Sequence, residues 1–171
     1  MHAKGQGIHS GLFLCYFISM KKILIEYLYL DLKTCERCVS TDAVLDKVVE
    51  ALAPALNLAG YQLEYHKQEI STPELAEKYH FLSSPTVRVN GIDIFGKIKE
   101  TGCSCCGEIA GTDVDCRAYD NAGQTVEVPT EEMMADAILR AVYNPAGCSC
   151  GTYRLPGNLK RFFIGKKRKS L

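Results

Sequence analysis

The chain has 171 residues, and its 20 Lys and Arg residues balance 20 Asp and Glu residues. A formal charge of zero excludes a general electrostatic attraction to nucleic acid, and a hydrophobic fraction of 47% is ordinary for a globular protein. This length accommodates one domain with an insertion. The nine cysteines stand in short clusters, unlike the spread cysteines of small secreted disulfide scaffolds. They favour redox or soft-metal sites in a reducing compartment, so we expect a cytoplasmic protein.

The N-terminal segment contains an apolar run at residues 12–18, which is too short to cross a membrane. Met20 is followed by two lysines and then directly by a strand-like sequence, and no small-x-small cleavage site precedes it. We therefore expect the folded chain to begin at Met20. Residues 1–19 are then a non-native or disordered extension, with an export signal as the alternative.

The first predicted element is a strand over residues 22–30, which are nearly all apolar, β-branched or aromatic. Such a run indicates a central strand that is buried on both faces. The apolar residues from Val44 to Leu52 recur with helical spacing and predict a helix, which Pro54 kinks or ends. Residues 61–67 alternate as a second strand. Because a helix lies between the two strands, we expect them to be parallel.

Cys35 and Cys38 stand between the first strand and this helix. Two cysteines three positions apart at a helix start can close a small disulfide ring, and the helix N-terminus favours the reactive thiolate. Thr34 would cap a helix that begins at Cys35, whereas a cap at Ser40 would leave both cysteines in a loop. The motif predicts thiol–disulfide exchange, with Cys35 as the more exposed attacking thiol and Cys38 as the resolving thiol.

The second half of the chain predicts four further elements. Residues 72–79 begin with a capping threonine and a proline, which is typical of a short helix. Residues 85–94 form a hairpin pattern around Asn90-Gly91, a pair that suits a type I′ turn. Residues 114–128 indicate a small hairpin, and residues 130–142 a capped helix with an apolar stripe that we assign to the core.

Six clustered cysteines in this half are flanked by glycines, which let the backbone turn so that several sulfurs converge: Cys103, Cys105, Cys106, Cys116, Cys148 and Cys150. Soft thiolates suit zinc, copper(I), iron–sulfur clusters, arsenite or mercury, although the C-x-C-C spacing matches neither a zinc finger nor a ferredoxin. The alternatives are a redox relay with the first cysteine pair, and structural or inert cysteines. Gly-Cys-Ser-Cys occurs at residues 102–105 and again at 147–150, which suggests that both segments meet at one site.

Residues 144–171 are a cysteine-containing tail with seven Lys or Arg and no acid from Arg154 onward. We expect a solvated, disordered terminus. Contact with an acidic partner or an anionic membrane surface is the alternative, and we expect no nucleic-acid partner. The apolar residues 162–164 within the tail are an anchor for either the domain or a membrane surface.

The order β-α-β-α-β-β-α resembles the thioredoxin fold over residues 21–143, with Cys35 and Cys38 after the first strand and Pro85 opening the third. The chain is also similar to the uncharacterised thioredoxin-like family DUF2703. The similarity lies in its Thr-Cys-x-x-Cys start, its Ser-Pro-Thr-Val-x-Val-x-Gly strand and its Gly-Cys-x-Cys-Cys segment. This resemblance implies an α/β thioredoxin-like fold over residues 20–143, with a cysteine-rich insertion at residues 96–129. It also implies a redox site in which a cis Pro85 presents a backbone edge to an extended partner.

The chain departs from thioredoxin in having Lys33-Thr34 before the first cysteine, Glu36-Arg37 between the pair, and the insertion. Two functions follow as hypotheses. The first is a thiol–disulfide oxidoreductase that uses Cys35, Cys38 and Pro85 with a protein or small-thiol redox partner. The alternative is a soft-metal or metalloid-binding protein that uses the six clustered cysteines.

Overall fold

The larger of the two sheets is built around the first strand of the chain. The computed structural model describes residues 20–144 and 152–170. The sheet has the order β2-β1-β3-β4, with β1 parallel to β2 and antiparallel to β3. Its strands are β1 (Lys21–Tyr29), β2 (Tyr61–Glu69), β3 (Thr86–Val89) and β4 (Ile92–Asp93). The predicted central strand and parallel crossover are confirmed, and Ile25 and Tyr27 of β1 are fully buried.

The long helix α1 (Glu36–Leu58) crosses from β1 to β2 and packs its apolar face on the larger sheet. Leu45 and Val48 lie buried in this face, as the helical spacing predicts. The helix continues past Pro54 and therefore does not end at the proline. Pro54 removes one backbone hydrogen bond, but the buried Leu56 holds the last turn against the core.

The connection into the β3–β4 hairpin follows the sequence pattern closely. The short helix α2 (Pro73–Lys78) begins at the predicted proline. Asn90 and Gly91 have φ values of 51° and 79°, so both adopt the left-handed conformation that a type I′ turn requires. The peptide bond between Ser84 and Pro85 is cis.

The cysteine-rich insertion folds into a second, three-stranded antiparallel sheet with the order β5-β6-β7. Its strands are β5 (Lys99–Gly102), β6 (Asp115–Asn121) and β7 (Gln124–Val126). The predicted small hairpin corresponds to β6 and β7 and is confirmed. The sequence pattern does not predict β5 or the helix α3 (Ser104–Ala110) that follows it, because such short elements show no clear apolar period.

Helix α4 (Glu131–Tyr143) lies against α1 and matches the predicted helix at residues 130–142. The side-chain oxygen of Thr130 accepts a hydrogen bond from the backbone nitrogen of Met133 at 3.2 Å and caps the helix. Met134 and Ile138 are fully buried, so the apolar stripe belongs to the core. The proposed N-terminal extension, residues 1–19, lies outside the described residues.

The basic tail contains helix α5 (Gly157–Lys169), which packs against α3. The expectation of a solvated, disordered terminus is therefore wrong for residues 152–170. Phe162 and Phe163 are buried against the domain, which supplies the apolar surface that holds the helix in place. No helix in the described part of the chain is both long and apolar enough to cross a membrane.

The crossing of α5 and α3 depends on Gly165, which is buried at the contact. A Cβ atom at this position would overlap the backbone carbonyl of Ala110, so the two helices approach more closely than any larger residue allows.

We predict that Gly165→Ala lowers the free energy of unfolding by about 1–3 kcal/mol, because the overlap outweighs the better helix propensity of alanine. Gly157→Ala is the matched control, since Gly157 begins the same helix with open space around its Cα atom. We expect this control to keep or slightly raise stability in urea unfolding of the reduced protein. Equal stability of the two variants would show that α5 does not pack closely on α3.

Candidate functional site

Cys35 and Cys38 lie at the start of α1. The N-cap residue of this helix is neither Thr34 nor Ser40, the two positions that the sequence suggested. Cys35 occupies the N-cap position with an extended backbone, and the helix begins at Glu36. A carboxylate oxygen of Asp31 accepts hydrogen bonds from the backbone nitrogens of Lys33 at 2.8 Å and Thr34 at 2.6 Å. Thr34 therefore does not cap the helix. This turn fixes Cys35 directly at the positive end of the α1 dipole.

Helix α3 repeats the same arrangement. Cys103 is its N-cap residue, again with an extended backbone, and Cys106 follows in the first turn. The spacing between Cys103 and Cys106 equals that between Cys35 and Cys38. The sequence reading missed this second C-x-x-C because Cys105 lies inside it, and a search for the helix-start spacing alone would have found it.

Four cysteine sulfurs converge between these two helix starts and β6. The Sγ atoms of Cys35, Cys103, Cys106 and Cys116 all lie within 4.8 Å of one another. Cys35 Sγ lies 4.0 Å from Cys103 Sγ and 3.7 Å from Cys106 Sγ, and Cys116 Sγ lies 3.3 Å from Cys106 Sγ. All four residues are buried. We call them the four-sulfur cluster.

The structure groups the predicted cysteines differently from the sequence-based prediction. Cys35 joins three of the clustered cysteines, whereas Cys38 stays outside the cluster, with its Sγ atom 3.4 Å from Ser84 Oγ. Cys105 also lies outside and is half-buried. Cys148 and Cys150 lie outside the described residues, so the proposed meeting of the two Gly-Cys-Ser-Cys segments stays a prediction. The expectation that Cys35 is the more exposed thiol is wrong, because its side chain is 0% exposed.

The four thiols of the cluster differ strongly in pKa. Hydrogen bonds from Cys103 and from the other neighbouring thiols lower the pKa of Cys35 far below its ordinary value, although burial opposes this shift. Hydrogen bonds with Cys106 and Cys116 lower the pKa of Cys103 to about 7. Hydrogen bonding to Cys103 is the largest cause that raises the pKa of Cys106 and of Cys116. The metal-free cluster therefore carries its negative charge on Cys35 first and on Cys103 next.

Arg37 joins the second sheet to the start of α1. Its side chain is buried, and its guanidinium donates to the backbone carbonyl of Cys116 at 2.9 Å and that of Gly102 at 3.1 Å. It also donates to Thr101 Oγ1 at 3.1 Å and pairs with Glu127 at 2.5 Å. Since Gly102 precedes Cys103 directly, these bonds hold two cluster cysteines beside Cys35. The sequence gives no signal for this role, because most acceptors are backbone carbonyls far along the chain.

A protein-family profile described as "Domain of unknown function (DUF2703)" matches residues 23–138, which is more than half of the chain. The chain belongs to the DUF2703 family. The matched segment contains the whole four-sulfur cluster and ends before α5. No curated protein and no solved structure matches the chain.

In this DUF2703 chain, the backbone edge beside Pro85 is already occupied. The carbonyl of Ser84 accepts a hydrogen bond from the backbone nitrogen of Arg117 on β6 at 2.6 Å. The Arg117 side chain is buried and donates to Asp93 Oδ1 at 2.9 Å and to Thr86 Oγ1 at 3.1 Å, which fixes β6 against the larger sheet. The strand that carries Cys116 thus takes the position predicted for an extended partner.

We predict that Arg37→Met lowers the free energy of unfolding by about 2–4 kcal/mol, because buried carbonyls lose their charged donor. The cluster thiols should also react faster with a thiol-specific alkylating reagent as β5 and β6 separate from α1. Both effects are measurable on the reduced, metal-free protein by urea unfolding and by timed alkylation.

Lys47→Met is the control for this substitution. Lys47 lies on the same helix but is exposed, and it pairs with the exposed Glu131. We expect it to change stability by about 0.5 kcal/mol or less. If Arg37→Met behaved like Lys47→Met in both assays, Arg37 would not hold the second sheet against α1.

Proposed function

We propose that this protein binds one soft metal ion through Cys35, Cys103, Cys106 and Cys116. The convergence of four buried sulfurs from α1, α3 and β6 is the observation that carries the proposal. A tetrahedral ion with metal–sulfur bonds of about 2.3 Å holds its four sulfurs about 3.8 Å apart. Three of the six sulfur–sulfur distances, 3.3, 3.7 and 4.0 Å, bracket this value, and all six are within 4.8 Å. The residues present therefore fit a single four-coordinate ion.

The donor set favours Zn²⁺ among the soft metals of the sequence hypothesis. Closed sites with four protein thiolates are typical of structural zinc, and here all four donors are buried cysteines. An iron–sulfur cluster places inorganic sulfide between its irons and so holds its cysteines farther apart than one ion does. Binding of Zn²⁺ would require all four cysteines as thiolates, so the ion would displace the remaining thiol protons and offset two of the four negative charges.

We also propose that residues 20–143 adopt a thioredoxin-like fold. Support comes from the strand order β2-β1-β3-β4, the parallel β1–β2 crossover and the cis bond before Pro85. A general oxidoreductase would need an accessible attacking thiol and a free edge beside this proline. Cys35 is fully buried, and Arg117 occupies the edge, so the geometry supports metal binding better than that first hypothesis. Thiolate ligands must stay reduced, so the proposal includes a reducing compartment such as the cytoplasm.

The decisive measurement is the metal content of protein purified without oxygen. We expect about one zinc per chain, and a loss of affinity of at least about 10-fold when any one of the four ligands is changed to serine. Cys105→Ser is the matched control, because Cys105 lies next to Cys106 on α3 but outside the cluster. It should keep the stoichiometry and the affinity. A metal-free wild type that also fails to take up added Zn²⁺ would refute the proposal.

We further predict that zinc affinity rises steeply with pH. Near pH 7 the raised pKa values of Cys106 and Cys116 keep both thiols protonated, and Cys103, with a pKa of about 7, keeps about half a proton. Zinc must displace these protons, so about 2–3 are released per ion and the apparent affinity rises about 100- to 1000-fold per pH unit. Competition with a chromophoric chelator at several pH values measures this slope. An affinity independent of pH would exclude thiol ligands for the ion.

A further inference from the structure

Cys38 is a fifth buried cysteine beside the four-sulfur cluster. It lies three residues after Cys35, about one helical turn along α1, and is also 0% exposed. Its Sγ atom nevertheless contacts Ser84 Oγ rather than the cluster. The Cys35 sulfur thus has two possible partners. As a thiolate it is a metal ligand, whereas in a disulfide with Cys38 it carries no charge and cannot hold the ion in the same way.

Cys103 is the cluster residue that an outside reagent reaches first. It is 7% exposed, whereas Cys35, Cys106 and Cys116 are each 0% exposed. Cys103 also lines an open groove of about 700 Å³ between β5, α3 and β6. This groove admits a small molecule and not a folded protein.

The charge of the groove selects among small reagents. Glu108, Asp113 and Asp115 line it. Two basic residues of α5 contact these residues: Arg161 pairs with Asp115 at 3.8 Å, and Lys169 donates to the backbone carbonyl of Glu108. An uncharged or cationic reagent is therefore favoured over an anionic one.

We propose that a small, uncharged or cationic disulfide reacts at Cys103 and expels the metal, leaving a disulfide between Cys35 and Cys38. This inference rests on the proposed metal site and adds a disulfide-reducing reaction coupled to metal release. It assigns Cys103 as the entry residue and Cys38 as the final resolving thiol.

The exchange balances in three steps. The Cys103 thiolate attacks the disulfide RSSR, which forms a mixed disulfide and releases RS⁻. The Cys35 thiolate, 4.0 Å away, attacks the Cys103 sulfur, forms a Cys35–Cys103 disulfide and releases the second RS⁻. Cys38 gives its proton to one RS⁻ and attacks the Cys35 sulfur, so that Cys103 leaves as a thiolate. RSSR has gained two electrons, Cys35 and Cys38 have lost them, and the zinc ion leaves as a hydrated ion.

The disulfide is expected to settle on Cys38 rather than on Cys103. A Cys35–Cys38 bond closes a ring within one helix turn, and it joins residues of the same element. A Cys35–Cys103 bond must instead draw the starts of α1 and α3 together until two sulfurs now 4.0 Å apart reach about 2.05 Å.

The test uses the full chain loaded with zinc and exposed to cystamine, a cationic disulfide, in buffers of increasing cystamine-to-cysteamine ratio. Released zinc is read with a chromophoric chelator, and disulfides are located by peptide mass spectrometry. We expect the wild type to release its zinc and to contain the Cys35–Cys38 disulfide. Cys38→Ser should still bind zinc, but its half-release should need a ratio at least about 10-fold more oxidising, with the disulfide stopped at Cys35–Cys103 or as a mixed disulfide on Cys103.

Cys105→Ser is the control that should behave like the wild type, and Cys38→Ala repeats the test without a new hydroxyl group. A wild type that binds no zinc would refute the proposed function. A wild type that binds zinc but forms its disulfide without Cys38, or a Cys38→Ser variant with an unchanged half-release ratio, would overturn this inference alone.

Discussion

The guanidinium group of Arg37 holds the second sheet against the start of α1. Its donors reach carbonyls of β5 and β6, the strands that flank α3, and so position Cys103 and Cys116 relative to Cys35. A charged group can be buried here because it is hydrogen-bonded on several sides and paired with a carboxylate. The converging sulfurs are a consequence of this docking, since no local segment of the chain contains them all.

Two thiols of the four-sulfur cluster lie at helix N-termini, where the helix dipole favours the thiolate. Cys35 and Cys103 are both N-cap residues, so each thiol lies at the positive end of a helix dipole. Without a metal, the charge is stabilised mainly by hydrogen bonds from neighbouring thiols. In the proposed metal site, a bound cation would replace these protons with a stronger and more symmetric interaction.

The sequence predicted those parts of the structure that local chemistry determines. The buried β1, the long α1, the Asn90-Gly91 turn and the hairpin of β6 and β7 all follow from patterns within short segments. The grouping of the cysteines does not, because Cys35 and Cys116 are joined by contacts across most of the chain. The sequence also did not predict helix α5, because its basic composition is typical of a solvated tail. The contact of α5 with α3 explains why the helix carries apolar residues.

The hydrogen bond between Arg117 and Ser84 has a consequence for how this domain meets other proteins. β6 belongs to the same chain, so it faces the edge beside Pro85 at an effective concentration that a separate peptide reaches only at about millimolar levels. An external strand must compete with this tethered one and must also displace a packed sheet. β6 therefore covers that edge, which becomes free only when the insertion moves away from the larger sheet.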